Sequence, residues 1–249
     1  MANTILKSLS AENFASFAER VVFTTEIDPS KKEHLDNTFG VEDSRFNKVS
    51  FLYGANGSGK TFFCKILREI QRLLTFSPLT AAGNTDFLSL PQFKGLDAPV
   101  RPFAFGTEYQ DKPTFLGIDV VIDGITYHYE FGVQGKSVVW ELLTKKHRRT
   151  EKLLERTSPA NKDITLRSEL KEFESAKHRV KEEALCLPVA ALLNNDLASK
   201  IVDAIRDIQV VSMTAARIAP ANAKDSFSKE RLQKYLKVLQ KADPTLRNI

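Results

Sequence analysis

Apolar positions change rhythm several times along this chain. At the amino end Ile5, Leu6 and Leu9 lead to Asn13-Phe14-Ala15-Ser16-Phe17 and then Val21-Val22-Phe23, a loose alternation that predicts two short strands joined by a turn. Residues 28–47 are polar, with Pro29, Lys31, Lys32 and Glu33, and read as an exposed loop. Val49-Ser50-Phe51-Leu52-Tyr53 is a short apolar run with β-branched and aromatic members, the pattern of a buried parallel strand. Beyond it Phe62, Phe63, Ile66, Leu67, Ile70 and Leu74 recur at helical spacing and predict a helix ending near Ser77-Pro78.

Residues 79–113 are loop-rich, with Gly83, Pro91, Pro99, Pro102 and Pro113. From Phe115 the rhythm turns to strands. Phe115 to Ile122 is apolar, Asp123-Gly124 signals a hairpin turn, Ile125 to Phe131 alternates, and Val138-Val139-Trp140 with Leu142-Leu143 makes a third strand. The remainder reads as mostly helical. Leu166, Leu170, Phe173, Val180 and Ala184 mark one amphipathic face, and Val189, Leu193, Leu197, Ile201 and Ile205 mark another that starts after Pro188. Ile208 to Met213 looks like a strand, and Phe227, Leu232, Tyr235, Leu236 and Leu239 give a last helix.

Between the apolar run and the first helix stands Gly54-Ala55-Asn56-Gly57-Ser58-Gly59-Lys60-Thr61, a Gly-x4-Gly-Lys-Thr spacing. Glycines let a backbone wrap a phosphate without steric cost. The amides from about Gly57 to Thr61 then form an anion nest, and the helix beginning near Lys60 turns its positive end to the same phosphates. Lys60 can reach the β- and γ-phosphates and the Thr61 hydroxyl can ligate Mg²⁺. Gly54, Asn56, Gly57, Ser58, Gly59, Lys60 and Thr61 are therefore the expected ATP contacts, with Lys60 catalytic and Thr61 on the metal.

A hydrolytic site also needs an acid for Mg²⁺ and a group that activates water. Asp119, Asp123 and Asp196 are the candidates, and each has a structural alternative that fits better: Asp123-Gly124 is a turn, and the run around Asp196 keeps helical spacing. His34, His128, His147 and His178 are scattered without metal-ligand spacing. His128 and Trp140 read as surface or packing residues of the strands, and Cys64 as a small buried residue of the helix.

Bulk properties narrow the class. With 249 residues, 42% of them hydrophobic, the chain can bury a real core. It has no apolar run of the ~20 residues a membrane helix needs, no signal-peptide start, and two distant cysteines, Cys64 and Cys186, so a cytoplasmic location with reduced thiols is expected. The net charge of +5 permits a nucleic-acid partner without arguing for one. Two local clusters bear more on DNA or RNA: Lys145-Lys146-His147-Arg148-Arg149 with Lys152 and Arg156, and Lys177-His178-Arg179 with Lys181. Each is also the ordinary composition of a solvated face.

The segment Asn13-Phe14-Ala15-Ser16-Phe17, together with Leu52-Tyr53 and the glycine-rich loop, resembles the amino-terminal half of ABC-type ATPases of the SMC/RecF/OLD-like class. The nearest likeness is to prokaryotic AAA-family ATPases of anti-phage and abortive-infection systems. The strands of Phe115 to Leu143, Glu182-Glu183-Ala184-Leu185-Cys186-Leu187 and Asn194-Asn195 are similar to that family too. The resemblance implies an α/β P-loop fold: a nucleotide-binding core over residues 1–80, an inserted antiparallel β lobe over 81–160, and a helical region over 161–249 that stops before the signature and magnesium-acid motifs. It implies Mg-ATP as cofactor, Lys60 and Thr61 as phosphate and metal contacts, and Phe14 or Phe17 near the adenine or simply in the core. Heads of this kind sandwich ATP in pairs, so self-association or a second ATPase half is expected, with an effector nuclease as a further partner. No signature motif or catalytic glutamate is recognisable here, which leaves hydrolysis by these residues alone in doubt.

Three functions follow as expectations. The first is an ATPase head, or half of one, driving an effector in phage defence. The second is a nucleotide-regulated nucleic-acid-binding module, motivated by the basic clusters. The third is a P-loop small-molecule kinase, against which stands the antiparallel lobe where a kinase keeps alternating strands and helices.

Overall fold

Strand pairing organises the molecule. In a computed structural model, residues 4–30, 33–81, 98–159 and 163–211 are described. The amino end forms β1 (Thr4–Glu12) and β2 (Val21–Thr24), antiparallel and joined by a tight turn, as the alternation predicts. The Asp123-Gly124 turn joins β5 (Thr114–Ile122) to β6 (Ile125–Gln134). Both turn residues have positive φ, 51° and 82°, which a two-residue hairpin of this kind requires. β7 (Ser137–Lys146), β8 (Thr150–Arg156) and β9 (Ile164–Leu166) continue the same sheet, in the order β2-β1-β5-β6-β7-β8-β9, with every neighbour antiparallel. The amino-terminal strands and the 114–166 strands are thus one sheet.

Period-2 patterning decides its two faces. Leu9 and Ala11 of β1, Leu116, Ile118 and Val120 of β5, and Tyr127, Tyr129 and Phe131 of β6 share one face and are buried. Helices cover that face. α1 (Lys60–Ala81) contributes Ile66, Leu67, Ile70 and Leu74, and α3 (Asp196–Arg206) contributes Ala198, Ile201, Val202 and Ile205. Between them in sequence and space lies α2 (Cys186–Leu192). The chain divides into the units Met1–Gln209 and Val210–Ile249, and every element named here belongs to the first.

Several expected elements differ. Residues 28–47 are more than a loop: they hold a short 3-10 turn and the hairpin of β3 (Thr38–Val41) and β4 (Ser44–Asn47), whose Phe46 is buried. The predicted helical face from Leu166 to Ala184 is instead β9 followed by a 3-10 helix, Ser168–Arg179. The stretch from Val189 to Ile205 is two helices. Asn194 adopts φ 62°, and the Asn195 side chain accepts the Ala198 amide at 3.0 Å, which ends α2 and caps α3. Residues 208–211 are not a strand, while Ser212, Met213 and the predicted helix from Phe227 to Leu239 lie outside the described residues.

α1 runs through Pro78 to Ala81 rather than ending before it. Proline at 78 has no amide to give the carbonyl of Leu74. That carbonyl accepts Arg206 NH2 at 2.8 Å instead, so a side chain of α3 satisfies the group the proline leaves. Gln71 returns the tie, its amide donating to the carbonyl of Ile205 at 3.0 Å in the last turn of α3 and to that of Ile208 at 2.7 Å beyond its end.

Candidate functional site

The glycine-rich loop leads straight into α1. Gly57 and Gly59 have φ of 83° and 89°, backbone conformations that favour glycine over residues with a Cβ. The Ser58 amide donates to Ala55 O at 3.2 Å, and the Phe62 amide to Gly59 O at 2.8 Å, which starts the helix. The Lys60 ammonium folds back over the loop and donates to Gly54 O at 2.8 Å and Ala55 O at 2.7 Å, with Ser58 Oγ at 3.4 Å. Thr61 is exposed in the first turn of α1, where no acidic residue stands. Asn56 and Ser58 are exposed beside it. The sequence motif thus becomes one cationic, amide-rich loop at a helix start, a geometry that favours anions.

The turn between β1 and β2 supports this loop from below. A Cβ on Gly59 would lie 2.7 and 2.8 Å from two ring carbons of Phe17 and 3.2 Å from Ser16 Oγ. Phe17 also meets Phe62 and Phe63, with centroids 6.2 and 5.5 Å apart. Its role is therefore packing under the loop. Asn13 fixes the turn, with φ 50°. Its side chain accepts the Phe103 amide at 2.9 Å and donates to the carbonyls of Tyr109, Lys112 and Pro113 at 2.9 to 3.2 Å. One buried amide side chain thereby ties the ground beneath the loop to the 98–114 segment. Its position in Asn13-Phe14 was visible in the sequence, but nothing local there reveals its long-range partners.

Beside the loop opens a cleft of about 640 Å³, bounded by the turn at Phe14 to Ser16, by Gly57, by α1 and by residues 98–105. Such a volume lies within the range of roughly 300–1,000 Å³ usual for small-molecule sites. Phe14 and Phe62 line it, so of the two aromatic residues considered for a base, Phe14 borders the cleft.

The predicted buried strand before the loop is absent. Val49, Phe51, Leu52 and Tyr53 are 66%, 76%, 47% and 87% exposed, and this segment pairs with no described strand. Among the described residues every pairing in this sheet is antiparallel, so the parallel strand expected before the loop is not part of it.

The candidate acids are engaged elsewhere. Asp119 Oδ1 lies 2.5 Å from His128 Nδ1, and its Oδ2 accepts Ser8 Oγ at 2.7 Å. His128 Nε2 is 3.3 Å from Glu130 Oε2, and Glu130 Oε1 meets Arg20 NH1 at 2.5 Å. Burial would raise the Asp119 carboxyl, yet the hydrogen bonds from His128 and Ser8 outweigh it and lower the pKa. The bond to Asp119 and then that to Glu130 lift His128 to about 9. A raised imidazole pKa stabilises the fold fully below its unfolded value near 6.5, and that contribution is lost as pH rises through about 9. Unfolding stability of the chain should therefore fall between pH ~6.5 and ~9, and His128→Gln should flatten that slope. An unchanged slope in denaturant titrations of the variant would refute the assignment.

Asp123 sits in the hairpin turn, 2.8 Å from Lys200, and Asp196 opens α3. Among the described residues no group of three His, Cys, Asp or Glu could hold a metal ion. Trp140 stacks edge-on against Phe115 at 6.0 Å. Cys64 is exposed on α1, not buried as its residue type led one to expect, whereas Cys186 is buried.

The basic clusters also separate. Lys146 to Arg149 form the exposed end of the β7–β8 hairpin, while Lys177 donates to Ile164 O, beside the far end of β8. Arg156 belongs to neither solvated face, because it is wholly buried. Opposite it on β7 stands Glu141, equally buried. A charged residue two positions from an inward leucine of its own strand, Leu143 for Glu141 and Leu154 for Arg156, was the available signal for both.

Among the described residues no helix is long and apolar enough to cross a membrane. A family model described as "AAA domain, putative AbiEii toxin, Type IV TA system" matches residues 49–185, more than half of the chain. No curated protein and no solved structure matches it.

Proposed function

This chain belongs to the AAA-domain ATPase family of the abortive-infection class, and on that premise we propose that it binds Mg-ATP at residues 54–61 and works as an ATPase head, or half of one, that controls an effector assembly in phage defence. The observation that carries the reading is the loop itself. Gly57 and Gly59 turn the backbone, α1 begins with no acid in its first turn, and the Lys60 ammonium already lies over the loop, bonded to two of its carbonyls. These residues fit a triphosphate. Lys60 would exchange the carbonyls of Gly54 and Ala55 for phosphate oxygens, and the exposed Thr61 hydroxyl would hold the magnesium ion, which neutralises phosphate charge when bound.

Two features support an incomplete head. Asp119 and Asp123 are tied to His128 and Lys200, so neither stands ready as a magnesium acid. The apolar stretch Val49 to Tyr53 is exposed, and such an unpaired run is a template for neighbouring strands. A second half-head would supply both the strands and the acid.

The test is Mg-ATP binding, hydrolysis and mass by light scattering for the full chain beside Lys60→Ala. Binding that depends on Lys60, little turnover by the chain alone, and an assembly state that shifts with ATP once partner proteins are added would agree with the proposal. ATP binding equal in the two proteins would end it.

A second reading, nucleotide-regulated nucleic-acid binding, is favoured by the exposed Lys146, His147, Arg148 and Arg149 at one hairpin end. It requires DNA or RNA affinity that falls steeply with salt.

A further inference from the structure

The face of the sheet opposite the helices carries a run of paired side chains. Ser8 of β1, Asp119 of β5, and His128 and Glu130 of β6 alternate with the buried Leu9, Ile118 and Tyr129, and so share that face. The run ends at Arg20, whose NH1 meets Glu130 Oε1 at 2.5 Å and whose NH2 lies 3.4 Å from Ser10 Oγ. Ser10, Gly117 and Glu130 are partners in register across β1, β5 and β6. A Cβ on Gly117 would collide with Ser10 Oγ and stand 3.4 Å from Glu130 Cγ, so glycine there lets the two groups that hold Arg20 approach each other. Burial would raise the Glu130 carboxyl, yet the bonds from His128 and Arg20 outweigh it and lower the pKa, so a carboxylate faces the guanidinium at neutral pH.

Arg20 itself stands outside the strands. The last pair of the β1–β2 ladder is Ala11 with Val21, so residues 12–20 form the turn beneath the glycine-rich loop. Asn13 pins its outgoing limb to the 98–114 segment, and Arg20 pins its returning limb to β6. Phe17 lies between the two anchors. Its ring sits where a Gly59 Cβ would be only 2.7 Å away, and Phe62 and Phe63 pack against it as well. A shift of the returning limb therefore has little slack to take up before it reaches the loop.

We propose that Arg20 is a positioning residue of the phosphate loop: its ion pair with Glu130 fixes the turn that carries Phe17, and the Phe17 ring fixes the backbone at Gly59 from which the loop presents its amides. This role rests on the reading of residues 54–61 as a triphosphate site, and adds the far face of the sheet to what sets the affinity of that site. Magnitudes separate it from a structural role. The Arg20 side chain is 44% exposed, and ion pairs so open to water contribute little to stability. A ring packed against a backbone is less forgiving, since a gap of about 0.5–1 Å already forfeits a quarter to a half of the contact. Loss of the pair should therefore be felt in the loop more than in the fold.

The experiment titrates Mg-ATP into the full chain and its variants by calorimetry, with melting temperatures measured on the same samples. Arg20→Gln should weaken ATP by about fivefold. Its melting temperature should stay within about 4 °C of wild type. Arg20→Lys keeps a cation within reach of Glu130 and should bring the affinity back to within about twofold of wild type. In a Phe17→Leu chain, Arg20→Gln should cost less than about twofold more, since the ring that carries the effect is gone. Three results would each overturn the proposal while leaving the loop assignment standing. One is wild-type ATP affinity in Arg20→Gln. Another is the same loss with or without the Phe17 ring. The third is a loss that comes with a larger fall in melting temperature and that Arg20→Lys does not restore. If Lys60→Ala binds ATP like wild type, the loop assignment falls and the positioning role falls with it.

Discussion

Replacing Arg156 with methionine is expected to destabilise the fold by about 3–5 kcal/mol, because the carbonyls of Ala184, Ser158 and Pro159 lose their donor and the buried Glu141 carboxyl loses a nearby positive charge. Arg156 and Glu141 face each other across β7 and β8 on the buried side of the sheet, and both are fully buried. They divide the work of holding the incoming chain. The guanidinium donates to the carbonyls of Ala184 at 2.8 Å, Ser158 at 3.0 Å and Pro159 at 2.7 Å. The carboxylate accepts the amides of Cys186 at 2.7 Å and Leu187 at 3.0 Å and the Tyr129 hydroxyl at 2.8 Å. One side chain thus answers the Ala184 carbonyl before α2 together with two carbonyls of the loop after β8, and the other answers the amides that open α2. Burial raises the Glu141 carboxyl, and the nearby guanidinium is among the groups that oppose this, so removal of Arg156 raises it further. Glu141→Leu should cost a similar amount. The double variant should lose less than the sum, because no charge is then left unanswered. Denaturant midpoints of the four proteins measure this, and a single-variant loss under ~1 kcal/mol would dissolve the clamp.

That clamp was not legible in the sequence, and the reason is geometric. Arg156 closes a run of basic residues, but from Leu154 onward parity on β8 sets it inward with that leucine, opposite Glu141. The break between α2 and α3 was hidden in a similar way. Leu193 and Leu197 keep the apolar spacing going, while the informative residues are Asn194, at positive φ, and Asn195, which caps the next helix. By contrast the β5–β6 hairpin and the 54–61 loop could be read directly, since each depends on local conformations that only a few residue types accept. Val49 to Tyr53 shows the limit from the other side. Its composition asks for burial, yet burial needs neighbouring strands, and a local pattern does not say where those come from. Ser16 and Asn13 were read only as part of a family-like segment, because their significance lies in contacts with residues 40 to 100 positions away.

The same distinction between local and long-range constraint separates two glycines of the loop. Gly57→Ala should cost about 1–2 kcal/mol, the penalty of a left-handed conformation, because a Cβ there meets nothing within 4 Å. Gly59→Ala carries the same conformational penalty and adds a collision, since its Cβ would stand 2.7 Å from the Phe17 ring. That ring has little room to yield, being held among Phe62 and Phe63. With about 1–3 kcal/mol more for overpacking, the loop is expected to shift rather than absorb the methyl, and Mg-ATP affinity should fall by about a hundredfold or more. Phe17→Leu should have a modest effect alone and recover part of the affinity in Gly59→Ala, whereas it should do nothing for Gly57→Ala. Calorimetric titration of ATP into the wild type and the five variants reads this out. Equal losses in the two glycine variants would mean that the turn beneath the loop does not set its shape, and that the glycines act through backbone freedom alone.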